Sequence, residues 1–254
     1  MIVNPMDLKG APILVTGASS GIGRGTAILL SQLNARLIVS GRNQERLAKT
    51  LGQLEGTGHS MEPFDLDNTD AIPKWIRSIV DRTGPLGGVA HCAGIIEVLP
   101  IQYQSTARIE AIMHTNLTSA FMLVKGFRGR GCAVRGSAVV LVSSMGAFEG
   151  AGGLSSYAAS KAALIGFSRT AARELLADGL RVNCVAPAII RAELLERRGE
   201  ELGAEHVEKL LRQHPMGFGE PLDVAHAIAF LLAETGRWIT GSTLELDGGY
   251  SLRL

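Results

Sequence analysis

A tyrosine and a lysine one helical turn apart are the residues of this chain with the clearest capacity for chemistry. Tyr157 and Lys161 stand at positions i and i+4, so on a helix they share one face. A phenol has an ordinary pKa of about 10, and lowering that pKa by roughly three units needs about 4 kcal/mol. A neighbouring ammonium favours the phenolate. The spacing therefore predicts an acid/base pair, although such pairs also occur on ordinary helix surfaces.

A serine lies 13 residues before the tyrosine, at the end of a predicted strand. The Ser144 hydroxyl could polarise a substrate carbonyl while Tyr157 transfers a proton and a nicotinamide cofactor transfers a hydride. It could equally be a turn residue at a strand end. Taken together with a glycine-rich turn near the N-terminus, the three side chains favour hydride transfer between a nicotinamide and a carbonyl or alcohol.

That glycine-rich turn follows the first predicted strand and opens an amphipathic segment. Its glycines are spaced Gly-x-x-x-Gly-x-Gly, which permits a tight turn and close approach of a pyrophosphate to the backbone. The following helix N-terminus supplies free amide donors, although the turn could also be an ordinary strand–helix connection. The predicted phosphate-binding residues are Gly17, Ser19, Ser20, Gly21, Ile22 and Gly23.

The residues after the second and third predicted strands bear on the choice of cofactor. An acidic residue after the second strand accepts from the ribose 2′-hydroxyl of NAD, whereas a basic one suits the 2′-phosphate of NADP. Here the residue is Arg42, so NADP is preferred and NAD remains possible; the alternative is an exposed charge at a helix start. Asp65 could bind the adenine amino group or cap the next helix.

Short apolar runs alternate with longer amphipathic segments along the whole chain. This pattern predicts a single α/β domain with a doubly wound, Rossmann-type, seven-stranded parallel sheet and helices on both faces. The predicted strands are Pro12–Thr16, Ala35–Ser40, His59–Phe64, Leu86–His91, Ser137–Ser143, Arg181–Ala186 and Thr243–Leu246. The predicted helices are Gly21–Leu33, Asn43–Gln53, Asn68–Thr83, Thr106–Phe127, Ser155–Asp178 and Pro221–Glu234.

One charged segment, residues 188–215, interrupts this alternation. In a doubly wound sheet it would overhang the carboxyl ends of the strands, where ligands bind. It is predicted to be a substrate lid, and the alternative is a helical insertion that only adds stability.

The motifs above resemble the short-chain dehydrogenases/reductases, in their single-domain branch, over essentially the whole chain. The resemblance extends to Asn116 in Thr-Asn-Leu, to Val-Asn-x-Val-Ala-Pro at 182–187, and to the closing Asp-Gly-Gly at 247–249. It implies that Tyr157 is the general acid/base, that Ser144 orients the substrate oxygen, and that Lys161 binds the nicotinamide ribose and lowers the tyrosine pKa. It further implies that Asn116 holds a water in a proton relay.

The resemblance also implies cofactor contacts beyond the glycine turn, and it exposes departures from the family pattern. The additional contacts are Leu66, Cys92, Ala93, Gly94, Tyr157, Lys161, Pro187, Ala188 and Ile190. Cys92 replaces the usual asparagine, Ala188 the usual glycine, and Ala192 the expected threonine. Because the four catalytic residues are intact, we expect activity to survive and cofactor affinity to be the affected property.

The closest resemblance within the family is to 3-oxoacyl-acyl-carrier-protein reductases and related carbonyl reductases. Carrier-protein enzymes tend to carry two arginines near the active-site entrance; here one position is Arg135 and the other is Asp178, which reverses the charge. A small or medium carbonyl or alcohol is therefore preferred over a carrier-bound acyl chain. Apolar residues that could form the pocket wall or ordinary core are Met145, Phe148, Leu154, Ile189 and Leu194.

Two other classes of function stay open. A cofactor-binding regulator without turnover is supported by the departures named above and opposed by the intact catalytic residues, and nothing speaks positively for a structural subunit. The resemblance also implies a homotetramer. Apolar residues near the C-terminus fit such an interface or an edge strand packed on its own core: Leu244, Leu246, Tyr250, Leu252 and Leu254.

Composition excludes several partners. Lys plus Arg total 25 against 24 Asp plus Glu, which offers no general attraction for nucleic acid or acidic membranes. The three cysteines, Cys92, Cys132 and Cys184, have neither a metal-ligand spacing nor an even number, so we expect reduced thiols, no metal site and a cytoplasmic protein. No apolar stretch of about 18 residues is present, so no membrane span is expected.

Overall fold

Short apolar runs form the seven strands of a parallel sheet in a computed structural model that describes residues 4–191 and 204–252. Helices cover both faces of the sheet, which explains why its inner strands are rich in apolar residues, whereas its two edge strands mix polar and apolar residues. The strands are β1 (Pro12–Thr16), β2 (Arg36–Gly41), β3 (Ser60–Pro63), β4 (Leu86–His91), β5 (Ala133–Val142), β6 (Arg181–Pro187) and β7 (Thr243–Leu246).

Amphipathic segments between the strands form the helices. The described helices are α1 (Gly21–Gln32), α2 (Gln44–Leu51), α3 (Ile72–Thr83), α4 (Thr106–Met113), α5 (Ser119–Phe127), α6 (Ser155–Leu175), α7 (Ala204–Arg212) and α8 (Pro221–Leu232). One buried cluster packs α3, α5 and α6 against one face of the sheet. A second cluster packs α1, α2 and α8 against the other. None of the helices in the described ranges is long and apolar enough to cross a membrane.

The strand order β3-β2-β1-β4-β5-β6-β7 confirms the predicted doubly wound sheet. After β3 the chain returns to the middle of the sheet, so β1 and β4 are neighbours in space although β2 and β3 separate them in sequence. At this point the loops after β1 and β4 turn to opposite faces and leave a crevice at the carboxyl edge. The glycine-rich turn and Cys92–Gly94 follow these two strands.

Two predicted elements differ from the structure. β5 begins at Ala133 rather than Ser137. Its first four residues are largely exposed and include an arginine and a glycine, so they do not form an apolar run in the sequence. They are separated from the rest of the strand pairing by an irregularity beside Leu86. The continuous helix predicted over Thr106–Phe127 is interrupted by a π-helical turn at His114–Thr118. Such a turn is a single-turn interruption inside an otherwise helical segment, so the helical pattern on its two sides predicted one continuous helix. The other boundaries differ by a few residues at most.

Candidate active site

A cavity of about 1000 Å³ occupies the carboxyl edge of the sheet, beside the β1–β4 crevice. It runs from the loop after β2 to the N-terminal half of α6. The predicted cofactor residues that line it are Gly17, Ser19, Ser20, Gly21, Ile22, Gly23, Arg42, Asp65, Leu66, Cys92, Ala93, Gly94, Tyr157, Ala188 and Ile190. Ser144 also lines the cavity, whereas Asn116, Lys161 and Pro187 are buried behind its wall.

The glycine-rich turn is too tight to accept side chains at its first and last glycines. Gly17 has φ +67°, and a Cβ on it would come within 2.7 Å of the Ala93 nitrogen. A Cβ on Gly23 would lie 2.2 Å from the Gly17 carbonyl oxygen. The turn after β1 therefore packs against the loop after β4, and its backbone forms one wall of the cavity.

A Gly23→Ala substitution is expected to destabilise this turn by about 1–3 kcal/mol, because the overlap can be relieved only by moving backbone. The same movement should weaken binding of NADPH by at least about tenfold. Fluorescence titration with NADPH and urea unfolding measure the two effects. Gly52→Ala is the matched control: Gly52 has φ −67° and the nearest atom to its Cβ is 3.5 Å away. If Gly23→Ala behaved like Gly52→Ala, the close packing of the turn would be unimportant.

The structure brings Tyr157, Ser144 and Lys161 together at the far end of the cavity. Ser144 follows the end of β5 and accepts a hydrogen bond from the Gly146 amide at 3.1 Å. The Lys161 ammonium lies 5.8 Å from the centre of the Tyr157 ring and donates to the Val142 carbonyl oxygen at 2.7 Å. A phenol and a hydroxyl thus face the cavity, with a buried ammonium behind them.

Burial shifts the protonation of both titratable groups. It raises the pKa of the Tyr157 hydroxyl above its ordinary value, and the hydrogen bond with Ser144 opposes this effect. The expected lowering of the tyrosine pKa is therefore not found in the protein alone. Burial lowers the pKa of Lys161 to about 8. At neutral pH the phenol is therefore neutral and carries its proton, and the ammonium still carries its charge.

Asn116 lies in the π-helical turn and is completely buried. Its Oδ1 accepts from the Ile95 amide at 2.8 Å, and its Nδ2 donates to the Ile95 carbonyl at 2.9 Å and to Ser160 Oγ at 3.0 Å. Ser160 in turn donates to the Tyr157 carbonyl at 2.7 Å. The Asn116 side chain therefore ties the loop after β4 to the helix that carries Tyr157.

His91 is a residue near the site that was not predicted from the sequence. His91, at the end of β4, is buried, and burial together with the Lys161 charge lowers its pKa to about 3, so it is neutral. Its Nδ1 lies 2.8 Å from the hydroxyl of Thr16, which also accepts from the Ala93 amide at 3.4 Å. His91 therefore braces the contact between the two cavity loops. A polar residue at the end of a buried strand is the signal that could have revealed it.

The predicted substrate wall is partly present. Met145, Leu154 and Ile189 line the cavity, whereas Phe148 is 48% exposed and lies outside its wall. Of the predicted lid segment 188–215, the described parts contribute residues such as Leu210 to the wall. Ala192 and Leu194 lie outside the described residues.

The cavity has features that fit a nucleotide cofactor. Its glycine wall leaves no room for a Cβ, and Arg42 lies at its β2 end. Ser40, the last buried residue before that arginine, also lines the cavity, and its hydroxyl has no hydrogen-bond partner among the described residues. A buried unpaired hydroxyl is costly, and a polar ligand would satisfy it. In the described ranges no cluster of three His, Cys, Asp or Glu side chains could hold a metal ion.

The two charged positions considered for carrier-protein binding lie away from this cavity. Arg135 stands near the start of β5, at the opposite end of the strand from Ser144. Its guanidinium contacts the Ala177 carbonyl oxygen at 3.4 Å. Asp178 follows α6 and pairs with Arg128 at 2.7 Å. Within one chain, therefore, neither Arg135 nor Asp178 borders the entrance of the cavity. The expectation that these two positions lie near the active-site entrance was wrong for a single subunit.

Comparison with known proteins identifies the family of this chain. A family model described as "Enoyl-(Acyl carrier protein) reductase" matches residues 17–251. The chain is 32% identical to the 3-oxoacyl-[acyl-carrier-protein] reductase FabG of Thermotoga maritima over 96% of this chain and 99% of that protein. It is 33% identical to carbonyl reductase family member 4 of Danio rerio over 94% and 97%. The chain belongs to the short-chain dehydrogenase/reductase family.

Solved structures of other short-chain dehydrogenases/reductases superpose closely. A dehydrogenase/reductase from Sinorhizobium meliloti gives a TM-score of 0.89 at 29% identity, covering 97% of each chain. The ligand-free aldohexose dehydrogenase of Thermoplasma acidophilum gives 0.87 at 28% identity, covering 99% of this chain and 98% of that one. Membership of this family makes the protein an NAD(P)-dependent oxidoreductase that acts on CH–OH groups.

Proposed function

We propose that this short-chain dehydrogenase/reductase interconverts a small or medium carbonyl compound and its alcohol, with NADP(H) as the preferred cofactor. The observation that carries the proposal is the joint exposure of Tyr157 and Ser144 to one cavity, with the Lys161 ammonium buried behind them. A proton donor, an oxygen-orienting hydroxyl and a fixed positive charge are what reduction of a carbonyl requires at the oxygen.

The nicotinamide, when bound, supplies the hydride in reduction and accepts it in oxidation. In reduction Ser144 donates a hydrogen bond to the carbonyl oxygen, and Tyr157 releases its proton to that oxygen as negative charge develops there. The Lys161 ammonium stabilises the resulting phenolate. Asn116 holds Tyr157 in place through Ser160 and, as the family resemblance implies, supports the relay that returns the proton. In oxidation the same groups act in reverse.

The cofactor is proposed to lie along the remainder of the cavity. Its pyrophosphate would meet the backbone of the turn from Gly17 to Gly23, and its adenine amino group would meet Asp65. The Arg42 guanidinium and the unpaired Ser40 hydroxyl suit a 2′-phosphate, because both can donate to its oxygens. Pro187, Ala188 and Ile190 complete the proposed nicotinamide side.

An Arg42→Ala variant is expected to lose about 10- to 100-fold in kcat/KM with NADPH, as one or two charge-assisted hydrogen bonds disappear. With NADH, which lacks the 2′-phosphate, the change should stay within about threefold. Initial rates with both cofactors measure the ratio. Lys49→Ala is the control, since Lys49 lies on α2 but pairs with Glu45 at 3.0 Å on the exposed surface. Equal losses with the two cofactors would remove the basis for the NADP preference.

A direct assay tests the proposed activity. The purified protein is mixed with NADPH or NADH and a panel of aldehydes, ketones and secondary alcohols, and the absorbance of the reduced nicotinamide is followed. Turnover of at least one small carbonyl supports the proposal. Tight cofactor binding with no turnover of any substrate would favour a cofactor-binding regulator. Absence of cofactor binding would contradict both the reductase and the regulator.

A second candidate is reduction of 3-oxoacyl groups on an acyl-carrier protein. It is favoured by the names of the relatives, since several at 32–33% identity over almost the whole chain are 3-oxoacyl-[acyl-carrier-protein] reductases. It is weakened by the positions of Arg135 and Asp178, which lie away from the cavity in one chain and so offer no pair of basic side chains at its entrance to an acidic carrier. To separate the two candidates, kcat/KM is measured for the same 3-oxoacyl group attached to an acyl-carrier protein and attached to a small thiol. Only an enzyme specific for the carrier would strongly prefer the carrier-bound substrate.

The proposed enzyme is a cytoplasmic homotetramer. All three cysteines are free, which suits a reducing compartment. Large apolar side chains remain exposed on α5 and before β7, at Phe121 (47%) and Trp238 (91%), and burial of such side chains between subunits would be favourable. Leu244 and Leu246 pack against the core of their own chain, Leu252 is 74% exposed, and Leu254 lies outside the described residues.

The segment 188–215 is proposed to cover the substrate.

A further inference from the structure

The π-helical turn at His114–Thr118 is hydrogen-bonded to the loop after β3 and to the loop after β4, which both line the cavity. At its centre Asn116 holds the loop after β4 and, through Ser160, the helix that carries Tyr157. The two residues before Asn116 reach in the opposite direction, to the loop after β3. π-Helical turns of this kind occur frequently at functional sites, where they redirect side chains that a regular helix would place elsewhere.

Both contacts with the loop after β3 are made to Asp67. His114 Nε2 donates to the Asp67 carbonyl oxygen at 2.8 Å, and Thr115 Oγ1 donates to the Asp67 carboxylate at 2.6 Å. The Asp67 amide in turn donates to the Asp65 carboxylate at 3.1 Å. Asp65 and Asp67 both line the cavity. A continuous series of hydrogen bonds therefore runs from the proposed adenine-binding residue to the turn that carries Asn116.

We propose that His114, Thr115 and Asp67 are positioning residues that couple occupancy of the adenine end of the cavity to the placement of Asn116, and hence of Tyr157 and Lys161, at the reacting end. This inference rests on the proposed function, because it takes the cavity to hold a nicotinamide dinucleotide. A ligand that orders the exposed loop after β3 restricts Asp67, and through Asp67 it restricts the turn.

The two hydrogen bonds are unequal in strength. The Thr115 hydroxyl donates to an ionised carboxylate, and such charge-assisted bonds are roughly twice as strong as neutral ones. The His114 ring donates to a neutral carbonyl. We therefore expect Thr115 to carry the larger share of the coupling and His114 the smaller.

The experiment divides the cofactor into its two halves. Reduced nicotinamide mononucleotide carries the hydride but no adenosine, and adenosine 2′,5′-bisphosphate carries the adenine half alone, with AMP as a parallel probe. In the wild type the adenine fragment should raise kcat/KM for the mononucleotide about 5- to 20-fold, within the usual range for coupled sites. By itself it should slow amide hydrogen exchange in peptides covering residues 114–118.

Matched variants identify the residue that transmits the effect. Thr115→Val removes the hydroxyl at constant shape and should reduce the enhancement to less than about twofold, whereas Thr115→Ser keeps the hydroxyl and should retain it. Thr118→Val is the control, because Thr118 belongs to the same turn but is exposed. His114→Phe should give an intermediate loss. Thermal unfolding verifies that each variant is folded.

The exchange measurement separates this inference from the proposed function, since it needs a bound fragment and no turnover. Slowed exchange at 114–118 that Thr115→Val abolishes supports the coupling even if no carbonyl is reduced. The inference is overturned if calorimetry shows fragment binding while exchange at 114–118 is unchanged, or if Thr115→Val keeps the full enhancement.

Discussion

A Tyr157→Phe variant is expected to reduce carbonyl substrates about 10²- to 10⁴-fold more slowly than the wild type, the range that positioned proton transfer contributes to enzymatic rates. Only the hydroxyl is lost, so the ring still fills its place beside Ser144. Burial raises the pKa of this hydroxyl. The protonated form needed for reduction therefore persists above neutral pH, whereas alcohol oxidation, which needs the phenolate, should accelerate as pH rises.

Initial rates of carbonyl reduction and of alcohol oxidation between pH 6 and 10 measure this effect. The dissociation constant for NADPH is measured as well. The dissociation constant for NADPH should change by less than about threefold, because the substitution removes only one hydroxyl among many proposed cofactor contacts. Tyr103→Phe is the control, since Tyr103 is 65% exposed and lies outside the cavity wall. A Tyr157→Phe enzyme that kept its full rate would remove the proton-transfer assignment.

A Lys161→Met variant is expected to lose roughly 100-fold or more in kcat/KM, a loss comparable with the removal of one preorganised charge-stabilising donor. Methionine keeps an unbranched side chain one atom shorter than lysine and supplies no charge to a phenolate at Tyr157. Lys125→Met is the matched control, because Lys125 lies exposed on α5. Equal activity in the two variants would contradict a role for the buried ammonium.

The same substitution has a predicted effect on stability that depends on pH. Burial lowers the pKa of Lys161 from 10.5 to about 8, so at pH 7 the folded protein bears a cost of roughly 3 kcal/mol for the buried charge. Between about pH 8 and 10.5 the unfolded chain binds this proton and the folded chain does not, so the cost is relieved as pH rises.

The free energy of unfolding of Lys161→Met, relative to the wild type, is therefore expected to be highest at pH 7 and to fall toward pH 10. Urea unfolding of both proteins without cofactor, at pH 7 and at pH 10, measures the difference. A difference that did not change with pH would mean that the folded-state pKa of Lys161 is not lowered.

Features that depend on neighbouring residues could be predicted from the sequence. The strands and helices follow from the spacing of apolar residues within short segments of the sequence. The doubly wound sheet follows from the alternation of strands and helices along the chain. The glycine turn, the shared helix face of Tyr157 and Lys161, and Arg42 after β2 are also local patterns. The residues predicted from them line one cavity or, like Lys161, lie directly behind its wall.

Contacts between distant segments were decided only by the tertiary structure. Asp67 and Thr115 are 48 residues apart and meet because α3 and α5 pack on the same face of the sheet. Hydrophobic spacing predicted helix on both sides of the π-helical turn but not the turn itself, and the direction in which the Tyr157 pKa shifts depends on burial that no spacing reveals. The sequence thus determined that Tyr157 and Lys161 share one face of a helix. Folding decided how deeply Lys161 is buried and that the Tyr157 hydroxyl stays protonated, because desolvation is a property of the packed chain.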